Sequence, residues 1–138
     1  ADAGRPAEVL AVPPAAGWVG AGEPVCLILG MALHFTPAQT AAAIVAGYAG
    51  ALPGGSVIAV SVAMPDNSPQ ADRLLAMFTP ARVYRHMAED VAGWLEGAGL
   101  EIVPPGVRDV RLLPGGVWTP ELPPRAPGVT VGALGLKR

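Results

Sequence analysis

The chain has 138 residues, 51% of them hydrophobic and only 14% charged, with a net charge of −2. Those proportions exclude a solvated disordered tail, give no electrostatic footprint for nucleic acid or an anionic membrane, and set the expectation of one domain. The 18 glycines and 16 prolines are a high share for a compact domain, and their lack of a period excludes a collagen helix.

Residues 1–24 read as a loop-rich N-terminal segment, with a Pro/Gly-rich zone from Pro13 to Pro24. Gly17-Trp18-Val19-Gly20-Ala21-Gly22 precedes a strand instead of following one, so it does not suit a dinucleotide-binding turn and reads as linker. Residues 25–103 form a better-patterned α/β core. Val25–Leu29 is a continuous apolar run between Pro24 and Gly30, as expected of a parallel strand buried on both faces. In Thr36-Pro37-Ala38-Gln39 the expectation is a helix start, with Thr36 as cap, Pro37 at the first helical position and Gln39 completing a capping box. Ala41, Ile44, Val45, Tyr48 and Leu52 then share one helical face, and Pro53-Gly54-Gly55 ends it. Ser56–Ala63 is a second buried strand, so this stretch predicts a right-handed parallel βαβ unit.

A short helix is expected from Ser68 or Pro69 to Met77, then a loop at Thr79-Pro80. Met87, Val91, Trp94 and Leu95 line one face of a further helix, with Glu89 and Asp90 in its first turn and Gly97 and Gly99 at its end. Strands are expected at Leu100–Val103, Val107–Leu113 and Val129–Leu136, and residues 104–138 read as a Pro/Gly-rich loop with terminal strands.

The inventory of reactive side chains is thin. Two histidines and one cysteine, widely separated, give no plausible zinc site. The hydrolase elbow and the phosphate-loop lysine motif are both missing. Cys26 cannot make an internal disulfide, which favours a reducing compartment, and its place inside the apolar run suits an inert small hydrophobe. The longest apolar run, Val25–Leu33, is far short of the roughly 20 residues a membrane span needs. No secretory signal opens the chain, and with no initiator methionine the first residues read as a fragment. The stretch with most promise is Gly30-Met31-Ala32-Leu33-His34-Phe35, because ligands of open α/β sheets sit outside the carboxyl ends of strands. Gly30 would admit a ligand close to the backbone or merely end a strand, and Met31 would offer an apolar contact. His34 would orient a ligand, act as a base, or be a satisfied structural residue, since no carboxylate partner can be identified for it. His86 reads as support for a helix N-terminus and Trp94 as core. Trp18 and Trp118 would cover a pocket or pack the edge of the fold.

Leu33-His34-Phe35 after a buried strand resembles the signature that follows the fourth strand of class I S-adenosylmethionine-dependent methyltransferases. Leu52-Pro53-Gly54-Gly55 with Ser56–Ser61 is similar to that fold's turn and fifth strand, and Trp94–Val103 to its next helix and sixth strand. A closer resemblance is to a bacterial methyltransferase family formerly catalogued as a domain of unknown function. It is carried by Ala1-Asp2, Pro6, Val9-Leu10, Pro24-Val25, Leu33-His34-Phe35, Gly99-Leu100, Pro105-Gly106-Val107, Trp118 and the closing Gly132–Arg138.

The resemblance implies a Rossmann-like class I α/β sheet represented by its C-terminal portion, in the order β-α-β-α-α-β-β, as a single partial domain. The first strands and the glycine-rich motif that cradles the cofactor's methionine part would lie before Ala1. It also implies a full strand order of 3-2-1-4-5-7-6, S-adenosylmethionine as cofactor, and methyl transfer to a small-molecule acceptor in the cytoplasm, with no metal, nucleic acid or membrane involved. Asp2 falls where the family's acid contacts the adenine amino group, and Gly30, Met31, Ala32 and His34 are the other cofactor-side residues. No catalytic base is identified. The competing expectations are a non-catalytic remnant or interaction module and an unrelated nucleotide-binding domain, and the lost strands imply a homodimer or an N-terminal partner segment.

Overall fold

Pro6 and Pro13 stand at the starts of two helices, α1 (Pro6–Leu10) and α2 (Pro13–Gly20), where a residue without an N–H costs nothing. They occupy the N-terminal segment expected to be loop, and Gly17 to Gly20 are helical, not linker. Val9, Leu10 and Val19 pack against the main core, which is what outweighs the weak helix propensity of the glycines. The computed structural model describes residues 2–64, 68–77, 82–110 and 129–138. Trp118, the expected loop at Thr79-Pro80 and the end of the expected strand Val107–Leu113 fall outside them.

The elements that follow are β1 (Cys26–Gly30), a 3-10 turn (Ala32–Phe35), α3 (Ala38–Ala51) and β2 (Val57–Met64). After these come α4 (Pro69–Ala76), α5 (Ala88–Gly97), β3 (Glu101–Ile102), β4 (Arg108–Asp109) and β5 (Val129–Leu136). The α3 face behaves as its spacing requires: Ala41, Ile44, Val45, Tyr48 and Leu52 are all buried. Its start does not. Pro37 is the N-cap and Thr36 donates its hydroxyl backwards to the Leu33 carbonyl at 3.0 Å, closing the 3-10 turn instead of capping α3. At the far end, Lys137 Nζ donates to the Ala49 and Leu52 carbonyls at 2.7 and 2.6 Å, which satisfies acceptors the helix leaves unpaired. Gly55 then turns with φ +80°, a conformation glycine adopts freely, and its N–H reaches the Lys137 carbonyl at 2.7 Å. In α5, Val91, Trp94 and Leu95 are buried, whereas Met87 is the exposed N-cap and takes no part in the packed face. The Asp90 carboxylate accepts from the Met87 N–H at 2.7 Å, as a capping box requires.

The sheet order is β1-β2-β5-β3, with β4 also pairing β5. β1 and β2 are parallel, and β5 runs antiparallel to both β2 and β3. That order reproduces the 4-5-7-6 end of the expected topology. Register places Leu27, Ile58 and Gly135 in one row, Leu29, Val60 and Ala133 in the next, and Val62 with Val131 beyond. This face packs under α3 and α5 and forms the core. The opposite face carries Cys26, Ile28 and Gly30, and there the expectation of burial on both sides fails: Cys26 is exposed and Ile28 is 71% exposed. Among the described residues no helix covers these side chains, so a pattern of unbroken apolar residues meets solvent on one side. A hollow of 340 Å³ opens on the same face, lined by Ile28, Ala59, Ser61, Pro105, Gly132 and Leu134.

Candidate functional site

At the carboxyl ends of β1 and β2 the backbone changes direction sharply. Gly30 is the last residue of β1, and Met31 follows with φ 58° in the left-handed region, where a side chain crowds the carbonyl. The Met31 N–H donates to the Ser61 carbonyl at 3.1 Å, which holds the strained residue in place. A non-glycine residue kept in this region is characteristic of sites that hold ligands or switches. Met31 and Phe35 are 43% and 50% exposed, so the turn presents apolar side chains outward. Gly30 itself is exposed, and a Cβ built on it would meet nothing nearer than Ile28 at 3.8 Å and the Ser61 hydroxyl at 3.9 Å. Packing therefore does not demand glycine here, and the space beside its backbone is open to a ligand.

Under the turn the two histidines face each other. His34 Nε2 accepts the Ala63 N–H at 2.9 Å, so the neutral ring carries its proton on Nδ1, 3.5 Å from the Tyr84 carbonyl. Tyr84 returns its N–H to the His34 carbonyl at 2.7 Å. His86 Nε2 donates to the Leu33 carbonyl at 3.0 Å. The rings lie 6.0 Å apart and nearly parallel, and the edge of Trp94 closes the other side of His86 at 4.9 Å. His34 is 7% exposed and His86 1%. Burial lowers the His34 pKa below its ordinary value, the Tyr84 carbonyl works against that, and His86 adds to the lowering.

The structure thus gathers Gly30, Met31, Ala32 and His34 on one turn, with Ser61, Ala63, Tyr84 and His86 as neighbours. The His34 ring points inward and spends both nitrogens on protein groups, leaving none to serve as a base toward a ligand outside. Asp2 stands apart at the entry to α1, where its carboxylate accepts the Gly4 N–H at 2.9 Å. The Tyr48 hydroxyl donates to the Ala3 carbonyl at 3.0 Å; burial and then the Asp2 charge raise its pKa. Among the described residues no three acidic, histidine or cysteine side chains gather as metal ligands. No described helix is long and apolar enough to cross a membrane. Trp18 is 67% exposed on α2. Sequence reasoning missed His86, Tyr84 and Ser61, since nothing in their local pattern shows which strand ends or loops they will meet.

A family model described as S-adenosyl methyltransferase matches residues 1–134. Among solved structures, a protein assigned as a methyltransferase from Thermobifida fusca YX superposes with a TM-score of 0.75 at 22% identity, over 100% of this chain and 52% of its own. A DUF574 family protein from Streptomyces avermitilis MA-4680 does so with a TM-score of 0.81 at 24% identity, over 100% and 53%. An O-methyltransferase family 2 protein from Planctomyces limnophilus DSM 3776, in complex with apigenin, aligns over 82% of this chain with a TM-score of 0.54 at 20% identity. These likenesses establish the fold, and the chain spans about half the length of the first two. No match is found among curated proteins.

Proposed function

The chain belongs to the S-adenosyl methyltransferase family, which it matches over residues 1–134, and on that premise we propose that it forms the carboxyl-terminal half of a class I catalytic domain acting on a small-molecule acceptor. The observation that carries this reading is the position of β1. It is parallel to β2 and stands at the end of the sheet, and among the described residues no strand pairs with its other edge. An apolar parallel strand at an edge invites a further strand, and the bare face beside it, with Ile28 71% exposed, invites a covering helix. An N-terminal half carrying the first strands and a glycine-rich turn has both parts. The extra length of the Thermobifida and Streptomyces structures is consistent with such a half.

The residues present fit the cofactor side of such a site. Gly30 leaves room that a Cβ would fill, and the strained Met31 sets an apolar side chain beside it. Gly30, Met31 and Ala32 would hold S-adenosylmethionine at the end of β1, and Asp2 would approach its adenine from the α1 side. When bound, that cofactor supplies an activated methyl group. The protein's share is then alignment: a turn fixed by backbone hydrogen bonds and buried imidazoles can hold two reactants in register, which is a large part of what such a displacement requires. We place the protein in the cytoplasm, a reading supported by the lone Cys26.

Sedimentation and isothermal titration test the proposal together. Alone, the 138-residue chain is expected to self-associate through its open edge and to bind S-adenosylmethionine weakly or not at all. Addition of an N-terminal half bearing the glycine-rich turn is expected to give a one-to-one complex with micromolar affinity, about −8 kcal/mol. A stable monomer with micromolar binding of its own would overturn the half-domain reading. A complex that forms yet binds no cofactor would favour a non-catalytic remnant.

A further inference from the structure

We infer that His34 and His86 form a latch, with each ring locked in the opposite neutral tautomer, that sets the turn after β1 and is opened by acid. The inference rests on the functional reading only for the statement that this turn is the cofactor side. The latch itself stands on hydrogen-bond geometry. The His34 ring ties the turn to the end of β2 through Ala63 and faces the stretch leading into α5 through the Tyr84 carbonyl, 3.5 Å from Nδ1, beside the backbone bond between the same two residues. His86 ties that same stretch back to Leu33. Three segments that are distant in sequence therefore depend on two rings.

Neither ring can accept a second proton where it stands. The vacant nitrogen of His34 is Nε2, and it faces the Ala63 N–H, so a proton there would set donor against donor. The vacant nitrogen of His86 is Nδ1, and it is buried with no hydrogen-bond partner among the described residues. An added proton at that atom would have no acceptor, in a pocket walled by Trp94 and the first imidazole. Among the described residues, other charges do not relieve this. The turn itself carries none between Gly30 and Thr36, and the end of β2 none between Ser61 and Ala63. On the stretch leading to α5, Arg82 lies over the Tyr84 ring and Arg85 pairs with Asp72 of α4. On α5 the Asp90 carboxylate is engaged by the Met87 N–H. Glu89 beside it and Arg73 of α4 are exposed. The charge that acts on His34 is that of His86, and it opposes protonation. A proton is accommodated only when the rings leave their partners, and the turn, the β2 end and the stretch at residues 84–86 then part together.

Nitrogen-15 NMR of the labelled chain tests this without reference to cofactor. Near pH 8, long-range imidazole correlations should show one ring protonated on Nδ1 and one on Nε2, assigned by the single variant His86→Gln, which keeps a donor toward Leu33. On acidification to about pH 5, the His34 ring should protonate in a step below the ordinary histidine range. Exchange of the Ala63 and Tyr84 amides should quicken at least about tenfold in that step. In His34→Gln/His86→Gln, whose amides supply the same acceptor and donor without titrating, that acid-triggered quickening should vanish. Should the double variant fail to fold, the tautomers and the exchange step in the unsubstituted chain decide alone. Two rings of the same tautomer, or a His34 titration not below 6.5 with unchanged Ala63 exchange, would overturn the latch.

Discussion

Replacing Gly135 by alanine adds a single methyl group where the core packs closely against a glycine. The new Cβ would lie 2.9 Å from Leu100 Cδ1, 2.9 Å from Leu95 Cδ2 and 3.0 Å from Leu100 Cβ. Carbon atoms in comfortable contact sit about 3.5–4.0 Å apart, so three overlaps must be relieved at once. Leu95 is fully buried and Leu100 is 5% exposed, so neither can swing into solvent. Relief requires α5 to lift from the sheet or β5 to shift against β2 and β3. Overpacking of this kind costs about 1–3 kcal/mol, and the gain of alanine over glycine in a strand returns roughly 0.5–1 kcal/mol of it. A net loss of up to about 2.5 kcal/mol, centred near 1, is the expected outcome, read as a lower urea midpoint at unchanged slope. Gly30→Ala is the matched control. Its Cβ makes ordinary contacts at 3.8 and 3.9 Å, and stability should stay within about 0.5 kcal/mol. If Gly135→Ala were as stable as the control, close packing of α5 on β5 would not be what holds this face together.

Three further outcomes are expected. Gly30→Leu, in a form of the protein completed by its N-terminal half, should block S-adenosylmethionine binding in calorimetry with an unchanged melting temperature; undiminished affinity would remove Gly30 from the site. Lys137→Met should cost about 1–2 kcal/mol in urea melts, because the carbonyls at the end of α3 lose a charged donor; no loss would mean that water replaces the ammonium. Because His34 has a lowered pKa when folded, the unfolded chain binds the extra proton first, so stability is complete above 6.5 and falls as pH drops below it. Thermal melts in a pH series should show that decline, and His34→Gln should flatten it.

Where burial on one face dominates, the sequence was a reliable guide. The α3 stripe from Ala41 to Leu52 and the limits of β5 at Val129 and Leu136 are as their patterns require. The errors have identifiable causes. Proline and glycine dominate Pro13–Gly20, yet both prolines fall in the first turn and Val19 packs against the core, so tertiary contact overrode local propensity. The run Cys26–Leu29 looks the same whether one face of a strand is covered or both, because an uninterrupted apolar pattern does not say which neighbours are present. Thr36 had two acceptable uses, and the carbonyl of Leu33 won because the chain bends back through a 3-10 turn that no periodicity announces. At the site, residue types pointed to Gly30 and Met31, but the pairing of His34 with His86 across 52 positions came only from the meeting of β2's end with the approach to α5.

The placement of β5 has a consequence for how this protein is made. β5 follows every other strand in sequence, yet it lies between β2 and β3 and also pairs β4. On a ribosome delivering residues in order, β1, α3 and β2 can assemble early as a local parallel unit, while β3 and β4 emerge with no strand to bond to. The nascent chain therefore carries two unfinished pieces until the strand that joins them is released. A stop after residue 128 would not trim an edge from the sheet. It would divide the sheet in two, leaving half-built species with apolar surface for chaperones or proteases to find. Loss of residues 129–138 would thus provoke quality control far more severely than loss of a strand at the end of the sheet such as β1.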